Sequence, residues 1–239
     1  MILRRASLAL GAALAVALQP ALARTVEPAA AFVPRGWKSE MVVRGELTGD
    51  AIPDVVLLVQ ANDPARRVRN EHLGEAVLDT NPRRLIVLRG TPGGLRQIAA
   101  SDRIIPPKGN AESTCLADPL EDGDIKIERG LIKINLNYWA SCGSWGSSSR
   151  TYTLRVEQDR VRLIGFDRMS FSRASGLGNE ISIDYLRGRV KHSSEVVVIG
   201  DETGKPPKVR WERVRPQAIY LEDLAVTRCD DLDPQPSWC

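Results

Sequence analysis

The chain has 239 residues, 43% of them hydrophobic, with 33 Lys and Arg against 30 Asp and Glu and a formal net charge of +3. Two of those basic residues, Arg4 and Arg5, lie in the first 23 residues, which hold no acid; without that segment the charge is +1. A near-neutral chain has no global field to recruit nucleic acid or an anionic membrane surface, and its length suits one domain with a core of its own.

Taken in order, the chain opens with Arg4-Arg5, an apolar run over Ala6–Leu18 and the small residues Ala21 and Ala23. That order predicts a signal peptide over residues 1–23, cleaved after Ala23. The run is too short to span a bilayer, and no later stretch approaches the length of a membrane helix. No cysteine stands near the cleavage point, so lipid attachment is not expected. The mature chain is therefore expected to be periplasmic or secreted, with no transmembrane segment. Residues 24–36, rich in Ala and Pro, read as a flexible lead-in, and residues 37–239 as a single β-rich domain.

Trp37–Arg44 reads as a strand, with Met41 and Val43 on one face. The stretch Gly45-Glu-Leu-Thr-Gly-Asp-Ala-Ile-Pro-Asp54 and the apolar run Val55-Val-Leu-Leu-Val59 follow it. Strand, acidic Gly-containing turn and buried strand in this order resemble the FG-GAP or VCBS-type repeat of integrin-like propeller blades. More loosely, the mature chain resembles uncharacterised exported bacterial proteins that carry one such motif. The resemblance implies a calcium loop with Glu46, Thr48, Asp50 and Asp54 in the first, third, fifth and ninth ligand places. Glu46 stands where Asp is usual, Thr48 where Asn or Asp is usual, and Ala51 where the pattern has Gly. Calcium wants six to eight oxygens, so the implied affinity is weak. Read from the residues alone, the same stretch makes an Asx-type turn in which Asp50 and Asp54 accept backbone N–H groups.

Ala61–Pro82 is long for a connection, and Asn70–Leu78 reads as a brief helix with Leu73, Val77 and Leu78 inward. Arg66, Arg67 and Arg69, with His72, Arg83 and Arg84 near them, offer either a contact for an anionic ligand or a solvated surface. Arg83–Arg89 and Leu95–Ser101 form a hairpin that completes a four-strand unit. Asp102–Asp122 is a loop rich in Pro, Gly and acid.

From Gly123 to Asp167 the chain alternates apolar and polar residues with period two, the signature of antiparallel strands with one buried face. Ile132, Ile134, Leu136 and Tyr138 share a face, as do Tyr152, Leu154 and Val156. Arg129-Gly130 and Gln158-Asp159 supply the turns. Ala140–Ser149 is a loop carrying Trp145, which either stacks on a ligand such as a sugar ring or folds back over the sheet end. Met169–Gly178 reads as irregular. Asn179–Leu186 and Arg189–Ile199 follow as strands, with Val196–Ile199 covered on both faces, then Val209–Val214 and a short helix over Pro216–Ala225. The expected fold is mainly β: an antiparallel meander of two or three multi-strand units, as a curved sheet, a sandwich or blade-like units, with few short helices.

Four cysteines in an exported chain imply two disulfides among three possible pairings. Nearest neighbours in sequence favour Cys115–Cys142 and Cys229–Cys239. No nucleophile, zinc or dinucleotide motif occurs. The function expected is an exported binding or interaction module, not an enzyme, with an envelope protein or a glycan as partner and weakly bound calcium as the one cofactor considered. An envelope-associated structural accessory, or a hydrolase built on the acidic loops, are the alternatives.

Overall fold

Period-two alternation dominates the chain, and strands dominate the structure that forms. The computed structural model describes residues 28–200 and 206–224. The proposed signal peptide and the Cys229–Cys239 pairing lie outside the described residues. Four strands make the first sheet: β1 (Trp37–Gly45), β2 (Asp54–Ala61), β5 (Arg83–Thr91) and β6 (Gly94–Ser101), in the order β1-β2-β5-β6. Between β2 and β5 the short strands β3 (Arg67–Arg69) and β4 (Val77–Asp79) pair as a separate hairpin arm.

The second sheet is a continuous meander of β7 (Asp124–Glu128), β8 (Leu131–Trp139), β9 (Gly146–Glu157), β10 (Arg160–Ser172), β11 (Leu177–Asp184), β12 (Arg189–Val197) and β13 (Lys208–Arg213). An eighth strand, β14 (Ile219–Tyr220), pairs with Arg162 and Leu163 of β10, where β11 does not reach. The β7–β8 turn runs through Arg129 (φ 52°) and Gly130 (φ 76°), both left-handed, as a two-residue hairpin requires.

The smaller sheet lies over part of the larger, with β1 alongside β7 and β6 alongside β10. Between them Val56, Leu58, Leu85, Val87 and Ala99 meet Ile132, Ile134, Leu154, Leu163 and Phe166 in one buried cluster. Val55, Leu57, Val59, Ile86 and Leu88 face the other way, under Ala29, Phe32 and Val33. That second cover explains why Val55–Val59 is apolar without alternation: the strand is buried on both faces. Arg89 adds a polar tie. It bonds Asp50 at 3.1 Å and Asp159, in the β9–β10 turn, at 2.9 Å.

Several expectations change. Within the expected lead-in, Pro28–Phe32 form a 3₁₀ helix with Ala29 fully buried, because the outer face of β2 and β5 needs a cover. Asn70–Leu78 is no helix. The Asn70 amide donates to Leu73 and Glu75 carbonyls while its Oδ1 accepts from His72 N–H, closing a turn between β3 and β4 and leaving Leu73 73% exposed. Met169–Gly178 is largely strand, since β9 extends back to Gly146 and pairs β10 as far as Ser172. Val198 and Ile199 are exposed rather than covered. Of the expected helix over Pro216–Ala225, the described residues 216–224 are helical only at Leu221–Asp223, as one 3₁₀ turn, because β10 captures Ile219–Tyr220 as strand.

Candidate functional site

The acidic loop is held by its own backbone. Glu46 Oε1 accepts N–H groups of Thr48 (2.9 Å) and Gly49 (2.7 Å), and Asp50 Oδ1 accepts that of Ile52 (3.0 Å). Buried Asp54 accepts Leu47 N–H on one oxygen (2.7 Å) and Gly90 N–H on the other (2.8 Å). The Gly49 N–H first, then that of Thr48, holds the Glu46 carboxyl below its usual range; Ile52 N–H and then Arg89 do the same for Asp50. Thus the four residues share one turn, in which the Thr48 hydroxyl donates to Glu46 Oε1 and Asp54 Oδ2, each at 3.4 Å, while the carboxylates also accept backbone N–H groups. Among the described residues, no group of three or more His, Cys, Asp and Glu side chains is placed to hold a metal ion. As arranged, backbone N–H groups engage these carboxylates in the manner of an Asx-type turn.

The other sequence candidates are dispersed. Arg66, Arg67 and Arg69 lie on or beside the β3–β4 arm, exposed, with Asp63 3.9 Å from Arg66 and Asn62 accepting from Arg67. Trp145 is 66% exposed, in the loop before β9; its carbonyl accepts Arg173 N–H at 2.7 Å, and the Arg173 guanidinium also bonds the carbonyl of Ser144. Cys115 and Cys142 are joined as a disulfide. Arg83, grouped by sequence with the surface arginines, is buried instead, between Glu40 and Asp118.

Side chains converge elsewhere, on the far end of the larger sheet. The face of β8–β12 that carries the core is apolar where the smaller sheet covers it and polar beyond. In register, Leu136 faces Arg150, which faces Arg168, then Ile181, His192 and Arg210. The next row is Tyr138, Ser148, Ser170, Asn179, Ser194 and Lys208. Two adjoining hollows, of about 520 and 480 Å³, open along these rows and share Arg168, Ser170 and Asn179. Together they form a trough with a basic side and a floor of hydroxyl and amide groups. Glu180, which lines it, is engaged by Lys191 (3.2 Å) and Ser193, and Glu212 beside it meets His192 (3.2 Å) and Arg210 (3.1 Å). Lys208 also pairs with Glu195.

Burial and then the charge of Arg150 lower the Arg168 pKa. The Arg150 guanidinium stacks over the Tyr138 ring at 4.8 Å. Burial raises the Tyr138 pKa, and its hydroxyl has no hydrogen-bond partner among the described residues. A third hollow, between the arm and residues 108–118, is larger at about 750 Å³. Three of its charged groups are engaged structurally, Asp118 by Arg83, Lys108 by Glu40 and Asp79 by Asn81, and Glu75 and Glu121 line it as well.

Compared with family models, with curated proteins and with solved structures, the chain matches none. The sequence does carry a signal of the trough. Arg150 stands two residues before Tyr152, and Arg168 two after Phe166, so period two puts both arginines on the face that their neighbours fill with core.

Proposed function

We propose that the protein is a non-catalytic binding module that works after export, in the periplasm or outside the cell, and that an anionic ligand seats in the trough over β8–β13. The observation that carries this reading is the row of hydroxyl and amide side chains, Ser148, Ser170, Asn179 and Ser194, lining two adjoining hollows beside the basic residues Arg168, Lys208 and Arg210. A guanidinium is suited to carboxylate or phosphate through paired N–H donors. Binding rather than catalysis is supported by the acidic loop, whose carboxylates are committed to backbone donors. Export is supported by the basic-then-apolar start of the chain and by the disulfide.

The test is amide chemical-shift mapping of the full mature chain with citrate, and with glucose as the neutral control. Citrate should shift residues 146–148, 168–172, 179–181, 192–194 and 208–210, and Arg168→Gln should remove the shifts. No response to citrate, or a response centred on the Arg66–Arg69 arm, would overturn the reading.

A further inference from the structure

Independently of the anion reading, we infer that β13 is the docking edge for a second copy of this chain, strand against strand across a two-fold axis. β13 ends the larger sheet, and among the described residues no strand pairs with its outer edge. All six of its residues are exposed, which holds for no other edge strand of the two larger sheets. Such an edge presents a row of N–H and C=O groups that another strand can take up. Apolar side chains gather beside it. Val209 and Trp211 on β13, and Val198 and Ile199 just after β12, are large hydrophobic residues left between 38% and 56% exposed. Two copies meeting here shelter them as well as pairing the edge.

The sequence of the strand selects the occupant. Antiparallel pairing of a strand with its own copy must centre on a residue, because only alternate residues turn their backbone groups outward. Centred on Arg210, the pairing sets two guanidinium groups face to face; centred on Glu212, it does the same to two carboxylates. Like charges directly opposed cost stability. Centred on Trp211, Arg210 lies opposite Glu212 of the second copy, and Glu212 opposite its Arg210. Val209 then meets Arg213, and the two Trp211 residues meet on the axis, so no like charges are opposed. Within one strand Arg210 already bonds Glu212 at 3.1 Å, and His192 meets Glu212 at 3.2 Å. Those contacts are compatible with the seam, since a guanidinium and a carboxylate each have bonding capacity beyond one contact. The side chains of Arg210 and Glu212 are 61% and 43% exposed, open to a second partner. Arg189 covers one side of the Trp211 ring, 4.6 Å from its centre, and the residue is still 56% exposed. The same backbone row accepts a foreign strand; it is the self-match of charge that points to a second copy.

The experiment is sedimentation equilibrium of the full mature chain from micromolar to submillimolar concentration. One strand a side is a small interface, so the expected dimer dissociates in the micromolar range and weakens with added salt. Arg210→Glu and Glu212→Arg each oppose like charges twice across the axis. Either alone should raise the dissociation constant about tenfold or more. Mixed in equal amounts, the two variants restore opposite charges at both positions and should form a heterodimer. The double variant, Arg210→Glu with Glu212→Arg, should form a homodimer again. A variant that had merely misfolded is not rescued by mixing. A wild-type chain that stays monomeric throughout, or a dimer that both single reversals leave intact, would overturn the inference. So would single variants that dissociate but regain no affinity when mixed.

Discussion

Arg83 holds Asp118 with both terminal nitrogens, Nη1 to Oδ1 and Nη2 to Oδ2, each at 2.6 Å. The same guanidinium reaches Glu40 through Nε at 3.0 Å and Nη2 at 2.7 Å, and donates to the Pro106 carbonyl at 3.2 Å. Only 1% of its side chain is exposed. One cation thus ties the start of β5 to β1 and to the long loop that carries the disulfide.

Removing that cation leaves two half-buried carboxylates without their shared partner, so Arg83→Met should cost about 3–5 kcal/mol in urea unfolding. Acid should act on the same cluster. Burial alone pushes the Glu40 carboxyl up, but hydrogen bonds from Arg83 and Lys108 more than reverse this and hold it below its ordinary value. Its contribution is therefore complete above the unfolded pKa and lost as pH falls through the lower folded one. Wild type should lose stability on acidification below about pH 4.5, and Arg83→Met should lose less over that window. Equal slopes in the two proteins would show that Glu40 is not the responsible group.

The acidic loop makes two opposed expectations. Ala51 sits at φ 63°, a left-handed conformation that costs a residue with a Cβ about 1–2 kcal/mol. Ala51→Gly relieves that strain but also loosens the unfolded chain, so a net gain of about 0.5–1 kcal/mol is expected. Calcium should do nothing: with the carboxylates already accepting backbone N–H groups, the thermal midpoint should stay flat to several millimolar calcium. A rising midpoint that Asp50→Asn abolishes would mean that the loop rearranges around an ion.

The Cys115–Cys142 bridge closes a segment with a sequence separation of 27. Chain-entropy arithmetic for such a loop predicts that reduction costs about 3.5 kcal/mol. Its effect should be read by comparing urea midpoints of the intact protein and of the Cys115→Ser, Cys142→Ser double variant. A difference under about 1 kcal/mol would show that the reduced loop keeps its order through the bond from Ala117 N–H to the Trp139 carbonyl.

Gln60 is fully buried near the end of β2, and neither side-chain polar atom has a hydrogen-bond partner among the described residues. Leaving such a group unsatisfied costs roughly 1–3 kcal/mol. Gln60→Leu should accordingly raise stability by about 1 kcal/mol, seen as a higher urea midpoint at unchanged slope. A loss of stability would indicate that ordered water satisfies the amide.

What the sequence discloses here follows the range of the physics. The alternation through Ile132, Ile134 and Leu136 is local, and the strands it implies form; so do the two turns with left-handed residues, at Arg129-Gly130 and Gln158-Asp159. Arg83 was not legible, because its partners lie 43 and 35 residues away and only the folded sheet brings them together. The Asn70–Leu78 turn was missed because its helix-like spacing of Leu73 and Val77 is outweighed by a single amide bonding three backbone groups. The trough was half legible. Parity marks Arg150 and Arg168, but that the smaller sheet stops short of them is a property of the assembled layers.

The order of the strands along the chain has a further effect. The smaller sheet is complete by Ser101, whereas the strands that cover its inner face begin only at Asp124. A nascent chain emerging amino-terminus first thus finishes one half of the sandwich while Val56, Leu58, Leu85 and Val87 still face water. Such half-built intermediates are prone to self-association. Translation stalled between residues 102 and 123 should yield an insoluble fragment, whereas release after Glu157 returns one that can cover its own apolar face.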